Sequence, residues 1–209
     1  MDRCIWIYRE MRSGSTWLAE FLSKQLNRKH IFLDHYPELV TNLVPNKEHT
    51  SYIFSSHVIK NLQPVKLYDD AILIRTARRN LFEQMLSLVF FRTYKNLTKV
   101  AANIWNDEDR ISFEKVTQNK YCTLSEQNVI SWLEQKRELD NQWLAFAKDY
   151  PSQTLYYEDF EEGVLLSNTD ILIKLDSSGT QKLPDYKRNV FSNYDQIEYW
   201  FEQNKNILS

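Results

Sequence analysis

Short apolar runs alternate with amphipathic stretches along most of the chain. Continuous runs such as CIWIY at 4–8 are typical of strands that are buried on both faces. Runs of this kind predict strands at 4–8, 30–33, 51–57, 71–75 and 154–158. Helical spacing of apolar residues predicts helices at 17–26, 61–68, 80–91, 128–150 and 193–205. The alternation predicts an α/β fold with a central, mostly parallel sheet flanked by helices.

The remaining stretches are shorter or more polar. Helical pieces are predicted around 162–175, and 177–192 is predicted to be a basic loop. Residues 95–124 are polar and irregular, which favours a lid, a substrate-binding insertion or a mobile loop. This stretch contains Trp105, Asp107, Glu108 and Asp109. Because no repeat or linker divides the sequence, we expect one domain over 1–209.

Composition restricts the classes of protein to be considered. The 209 residues carry a net charge of only −2, so no overall field attracts nucleic acid or an anionic membrane. Any anion site must therefore be local. Cys4 and Cys122 are too few for a disulfide framework, which favours a reducing compartment. With no signal peptide and no apolar run that could span a bilayer, we expect a cytoplasmic protein without a membrane span.

Chemically capable residues follow three of the predicted strands. They occupy Arg9–Ser15, His57 and Arg75–Arg79. In open parallel sheets the ligand crevice lies at the carboxyl ends of the strands. The sequence therefore predicts a site at this edge of the sheet.

The turn after the first strand, with the sequence RSGSTW at 12–17, has the composition of an anion site. Unpaired N–H groups at a helix start attract phosphate or sulfate, and a glycine lets the anion approach the backbone. Arg12, with its planar guanidinium, and three neighbouring hydroxyls are candidate anion ligands. The hydroxyls belong to Ser13, Ser15 and Thr16, around Gly14. In the alternative interpretation, Ser15 or Thr16 is only a helix cap and Arg12 a solvated charge.

The same turn lacks the first glycine and the lysine of the nucleotide-kinase loop, which argues against a kinase. It resembles instead the loop of sulfotransferases that holds the 5′-phosphosulfate of 3′-phosphoadenosine 5′-phosphosulfate (PAPS). That resemblance implies a three-layer, P-loop-like fold. It also implies that Trp17 stacks on adenine, although a tryptophan here could equally be a core residue. Arg12 stands where cytosolic members have a lysine, and would neutralise charge without donating a proton.

The stretch FSSHVIKNL at 54–62 resembles the family's strand that ends in the catalytic base. The resemblance assigns that role to His57, whose usual pKa of about 6.5 suits it. Ser55 and Ile59 depart from the family pattern, and a structural histidine is the alternative. The bacterial carbohydrate branch has an acidic base after the first helix. Asp34 or Glu38 could serve in that way here.

Three further matches follow in the family's order. In ILIRTARRNLFEQMLSL at 72–88, Arg79 and Ser87 have the spacing of the pair that binds the 3′-phosphate. Arg75 or Arg78 could share this role, or the arginines could form a solvated cluster. In TLYYEDFEEG at 154–163, Tyr157 matches a tyrosine near the adenine. In YKRN at 186–189, Lys187 and Arg188 match, more weakly, a basic segment that closes on the 3′-phosphate.

Together these matches imply a PAPS-dependent sulfotransferase. The expected reaction transfers a sulfuryl group to a hydroxyl or amine of a small-molecule or carbohydrate acceptor, leaves 3′-phosphoadenosine 5′-phosphate (PAP) and requires no metal. Residues 95–124 would then lie on the acceptor side. The alternatives are a catalytically silent PAPS- or PAP-binding protein with the same fold and, less compatible with the turn, a nucleotide kinase.

Overall fold

A computed structural model of the chain describes residues 3–36, 51–68, 70–98, 113, 117–175 and 186–209. The chain divides into two units. The sheet unit comprises Met1–Arg79 and Asn141–Thr180, and the helical unit comprises Asn80–Asp140 and Gln181–Ser209. All described residues belong to one of these two units.

Five parallel strands form the centre of the sheet unit, in the order β2-β3-β1-β4-β5. Their bounds are Ile5–Arg9 for β1, Lys29–Phe32 for β2, Tyr52–Ser56 for β3, Ile72–Ala77 for β4 and Ser152–Tyr156 for β5. All residues of β1 and β4 are buried, as expected for strands covered on both faces. The predicted α/β fold with a central parallel sheet is therefore confirmed.

The order of the strands places a topological switch point at β1. The chain first fills the β3 side of β1 and then crosses to the β4 side. Tyr8 of β1 lies opposite Ser56 of β3 and Arg75 of β4, and Arg9 lies opposite Thr76. Ligands of open parallel sheets bind where the connections diverge in this way, outside the carboxyl ends of the strands.

Helices cover both faces of this sheet. Because successive strand residues point to opposite faces, Ile5 and Ile7 pack toward helix α1, Ser15–Leu26, while Trp6 and Tyr8 face the other way. On that second face Trp143 stacks on Tyr8, with ring centroids 5.3 Å apart. Trp143 belongs to the last part of helix α3, Glu126–Ala147, which begins in the helical unit. The first helix, α1, lies within one or two residues of its prediction.

Two short strands replace the helices predicted around 162–175. Strands β6, Val164–Leu165, and β7, Leu172–Ile173, pair in an antiparallel hairpin. The prediction was wrong because it weighted the leucines and ignored the turn chemistry of SNTD at 167–170. There Asn168 adopts a φ of 59°, and the Thr169 hydroxyl donates to the Leu166 carbonyl at 2.8 Å.

Short 3₁₀ segments follow three of the strands. They are Leu33–His35 after β2, Ile59–Leu67 after β3 and Tyr157–Phe160 after β5. The helix predicted at 61–68 is the second of these. The strand predicted to reach residue 158 ends at Tyr156, so Tyr157 lies in the third segment. Each of these segments leaves the sheet at the carboxyl ends of its strands.

Aromatic side chains dominate the core of the helical unit. Its helices are the first part of α3, with α2 at Leu81–Thr98, α4 at Lys187–Val190 and α5 at Tyr194–Asn204. The ring centroid of Tyr186 lies 4.7 Å from that of Phe90 and 4.9 Å from that of Phe113. The loop predicted at 177–192 is thus helical at its end, because Val190 and Phe191 are buried and pull the turn into the core.

Most of the polar stretch at 95–124 lies outside the described residues, including Trp105 and the acidic residues 107–109. Within the described ranges, no helix is long and apolar enough to cross a membrane.

Candidate functional site

The turn between β1 and α1 presents an uncapped helix start. Gly14 is the residue before the helix, in the left-handed region at φ 72°, and Arg12 is also left-handed at φ 62°. The first helical hydrogen bond runs from the N–H of Leu18 to the carbonyl of Gly14 at 3.0 Å. Among the described residues no side chain caps this helix. Ser15 and Thr16 lie inside the helix, so the interpretation of either as its cap is wrong.

Tyr157 closes one side of this turn. A Cβ built on Gly14 would lie 2.8 Å from Cε2 of Tyr157 and closer still to the neighbouring ring carbon. Two features therefore require a glycine at position 14: the left-handed backbone angle and the aromatic ring against its α-carbon. The resemblance implies that this tyrosine lies near the adenine; in the structure its ring contacts the turn between β1 and α1.

A buried ion pair connects the turn to strand β4. Glu10 accepts a hydrogen bond from Nε of Arg75 at 2.6 Å and forms an ion pair with the same guanidinium. The Ser13 hydroxyl donates to the carbonyl of Glu10 at 2.6 Å and lies 2.7 Å from the Thr76 hydroxyl. The side chains of Ser13 and Arg75 thus hold the turn in place through Glu10 and Thr76. Arg75, which the sequence offered as a helper for the 3′-phosphate, is neutralised by Glu10.

The sequence places Arg9 among the chemically capable residues at the strand ends but assigns it no role. Arg9 is the last residue of β1 and is only 6% exposed. Its Nε donates to the Ser15 hydroxyl at 3.4 Å and one terminal nitrogen donates to the Thr16 hydroxyl at 2.5 Å. Burial lowers the pKa of its guanidinium from the usual range. The only available signal was a charged residue that ends an otherwise apolar strand.

His57 follows β3 and lies next to Arg9. Its Nδ1 donates to the carbonyl of Arg9, because a carbonyl can only accept. The lone pair of the neutral ring is then on Nε2, which has no hydrogen-bond partner in the described part of the chain. Phe32 packs edge-on against the ring with centroids 5.4 Å apart. Burial is the main cause that lowers the pKa of His57, and the charge of Arg9 adds to it, while the Arg9 carbonyl and Asp34 oppose it.

Asp34 holds the segment that carries His57. Its two oxygens accept hydrogen bonds from the Ser56 hydroxyl, from the backbone N–H of His57 at 2.9 Å and from the Asn61 amide at 2.9 Å. A carboxylate with this many donors is well suited to fix a loop. Glu38, the other acidic candidate, lies outside the described residues.

The arginines after β4 have different partners. Arg79 is exposed, binds the carboxylate of Asp159 at 2.7 and 3.0 Å and lies over the ring of Tyr156. Arg78 lies 4.7 Å from the ring centroid of Tyr157. Its Nε is buried and has no hydrogen-bond partner among the described residues. The expected 3′-phosphate ligand, Arg79, is thus occupied by Asp159, and Arg78 lies nearer the turn through Tyr157.

Trp17 is half-buried on helix α1. Its ring stacks on Phe21 at 5.1 Å and tilts against Phe160 at 5.4 Å, at the edge of the hydrophobic core. These contacts fit the interpretation of a core tryptophan.

The remaining predicted site residues lie in the helical unit. Ser87 is buried in helix α2. Lys187 forms an ion pair with Glu83, and Arg188 binds Asp195 at 2.8 Å and lies over the ring of Tyr194. Both cations are therefore neutralised within their own unit, and their expected role toward the 3′-phosphate stays a prediction.

Comparison of the chain with protein-family models, curated proteins and solved structures gave no match.

Proposed function

We propose that the chain is a sulfotransferase that binds PAPS at the start of helix α1 and transfers its sulfuryl group to a hydroxyl or amine of a small-molecule or carbohydrate acceptor. The observation that carries the proposal is the bond between Nδ1 of His57 and the Arg9 carbonyl, which leaves Nε2 as a base beside the anion turn. The strand, left-handed turn and uncapped helix at the switch point of the sheet support a P-loop-like arrangement.

The proposed step is an in-line displacement at sulfur. The acceptor oxygen forms a bond to sulfur while the bond between sulfur and the bridging oxygen of the 5′-phosphate breaks. That oxygen keeps the electron pair and leaves as part of PAP. Nε2 of His57 takes the acceptor proton, because its lone pair is available in the neutral ring.

Binding of the 5′-phosphosulfate relies on the turn. The first N–H groups of α1 and the helix dipole attract the anion, and the left-handed Gly14 leaves the backbone accessible. Ser15, Thr16 and Arg12 lie in or beside this helix start. Arg12 would offset charge at the leaving oxygen by electrostatics alone, because an arginine does not release its proton near neutral pH.

A second candidate is a protein that binds PAPS or PAP without turnover. The observation that favours it is the pair of Arg79 and Asp159, since the arginine expected at the 3′-phosphate is already neutralised. Both candidates need the same turn, and they differ only in whether a sulfuryl group is transferred.

The first experiment compares nucleotides that differ in the number and position of their phosphates. Thermal unfolding of the protein is followed with 3′,5′-ADP, 5′-ADP and Mg-ATP. We expect a larger stabilisation by 3′,5′-ADP, because only this nucleotide carries the 3′-phosphate. Stabilisation by Mg-ATP alone contradicts both candidates and supports a kinase.

The second experiment separates the two candidates. The protein is incubated with labelled PAPS and a panel of phenols, alcohols, amines and sugars, and labelled product is measured. Transfer to at least one acceptor, lost in His57→Ala, supports the enzyme. Binding of 3′,5′-ADP without transfer to any acceptor supports the silent binding protein.

A further inference from the structure

Arg9 is deeply buried, at 6% exposed, but has no carboxylate in direct contact among the described residues; Asp34 and Glu20 act on its charge only from beyond ion-pair distance. Buried cations are usually paired, because removing a charge from water is costly unless an opposite charge replaces the solvent. The neighbouring buried cation of the sheet, Arg75, follows that rule through Glu10. Arg9, unlike Arg75, has no ion-pair partner in the described ranges.

The guanidinium of Arg9 is held in a fixed direction. It lies 4.5 Å from the ring centroid of Phe32, and it donates to the hydroxyls of Ser15 and Thr16 on the first turn of α1. Two of the five N–H donors of an arginine are used in this way. The others have no acceptor in the described part of the chain. A planar group with unused donors beside an uncapped helix start matches a tetrahedral oxyanion.

We propose that Arg9 is a catalytic residue that binds the sulfuryl or phosphate oxygens of the ligand at the start of α1. The proposal rests on the proposed function for the identity of that ligand. The positive charge of Arg9 then stabilises the negative charge that develops on these oxygens during transfer. The ligand places a negative charge in direct contact with Arg9, whereas Asp34 and Glu20 act on it only at longer range.

Arg9 also fixes the tautomer of His57, the candidate base. The carbonyl of Arg9 accepts the proton on Nδ1 of His57, while its side chain faces the anion turn. One residue therefore connects the base with the group that is transferred. A substitution at position 9 keeps the carbonyl and removes only the guanidinium, so the two roles can be measured separately.

The test uses Arg9→Met, which fills similar space without charge, and Arg9→Gln, which keeps hydrogen-bond donors without charge. The matched control is Arg137→Gln, which removes an exposed cation whose hydrogen bond is to the Ile207 carbonyl in the helical unit. Affinities for 3′,5′-ADP and for sodium sulfate are measured by calorimetry. The ring nitrogens of His57 are followed by ¹⁵N NMR.

We expect Arg9→Met to weaken 3′,5′-ADP binding by about 10- to 100-fold, as for a lost charged hydrogen bond. Arg9→Gln should show a similar loss, and it serves alone if Arg9→Met does not fold. The His57 spectrum should keep the Nδ1–H tautomer in both variants, which shows that the loss comes from the guanidinium. The control should bind like the wild type.

Two failures can be told apart. If the wild type binds 3′,5′-ADP and the folded Arg9 variants bind it equally well, the role of Arg9 is overturned and the proposed function stands. If the wild type binds neither 3′,5′-ADP nor sulfate, the proposed function and the role of Arg9 both fail.

Discussion

The ring of Tyr157 lies against the α-carbon of Gly14, where any side chain at position 14 would overlap it. Gly14 also has a left-handed backbone at φ 72°. We therefore expect Gly14→Ala to lower the free energy of unfolding by about 2–4 kcal/mol, from the backbone strain and the overlap together. Urea unfolding measures this change.

The overlap can be separated from the backbone strain. Gly163→Ala is the control, because Gly163 is also left-handed at φ 99° and its added Cβ would meet Leu172 only at 3.3 Å. It should cost about 1–2 kcal/mol. Adding Tyr157→Ala to Gly14→Ala should cost less than the sum of the two single variants. A fully additive result would mean that the ring does not restrict position 14.

His57→Ala should reduce sulfuryl transfer by about 100-fold or more, because a positioned base contributes roughly that much. The affinity for 3′,5′-ADP should stay within a few-fold of the wild type, since the side chain faces the acceptor proton in the proposed step. Initial rates with labelled PAPS measure the first quantity and calorimetry the second. Full activity in His57→Ala removes the histidine from the role of base.

Asp34→Ala distinguishes a loop carboxylate from an acidic base. The substitution leaves the Ser56 hydroxyl, the His57 N–H and the Asn61 amide without their acceptor. We expect a loss of about 1–3 kcal/mol in the free energy of unfolding and a partial loss of activity. An undiminished free energy of unfolding, together with complete loss of transfer, would instead make Asp34 the base.

The sheet could be read from the sequence because its strands are short, apolar and continuous. CIWIY and AILIR are buried on both faces, so few other structures suit them, and their predicted bounds differ from the observed ones by only one or two residues. The hairpin at 164–173 was missed because its strands have two residues each. A pattern that short carries no period, and only the turn residues could have indicated it.

The sequence predicts that the turn and His57 lie at the same edge of the sheet, and they do, but it does not predict the partners of the arginines. Sequence places Arg75, Arg78 and Arg79 together, whereas their environments differ because Glu10 and Asp159 are distant along the chain. The role of Arg9 was missed for the same reason. Its importance follows from the hydroxyls of the next helix and from the carbonyl that faces His57, and neither contact is visible in a linear pattern.

Stability should fall as the pH drops below about 6.5. Burial lowers the pKa of His30 to about 4 and also lowers that of His57, so the folded protein holds both rings neutral where the unfolded chain takes up protons. The stabilisation is complete above the unfolded pKa of about 6.5 and is lost as the pH falls toward the folded values. Urea unfolding at several pH values between 4 and 7 measures the slope, which His30→Gln should reduce.

The pH at which activity falls on the acid side should also be lowered, because it reports protonation of His57. The charged groups that act on His57 are Arg9, which lowers its pKa, and Asp34, which raises it, with burial as the largest cause. The limb in kcat/KM should therefore lie below pH 6.5, and Arg9→Met should move it upward by removing a positive charge. A limb that stays in place in Arg9→Met would mean that the base is another group.

Arg78 should contribute more than Arg79 to nucleotide affinity. Arg78 has a buried Nε without a hydrogen-bond partner among the described residues and lies over the ring that touches Gly14. Arg79 must first give up the carboxylate of Asp159 before it can bind a phosphate. We expect Arg78→Met to weaken 3′,5′-ADP binding by about tenfold and Arg79→Met by less than threefold.

Asp159→Asn completes that comparison, because it releases Arg79 and leaves Arg78 unchanged. Equal affinity in Asp159→Asn and the wild type, together with a large loss in Arg78→Met, assigns the phosphate contact to Arg78. A larger loss in Arg79→Met than in Arg78→Met, with tighter binding in Asp159→Asn, restores the assignment made from the sequence. Asp159 then competes with the ligand for Arg79, and the ion pair must open before the nucleotide is held.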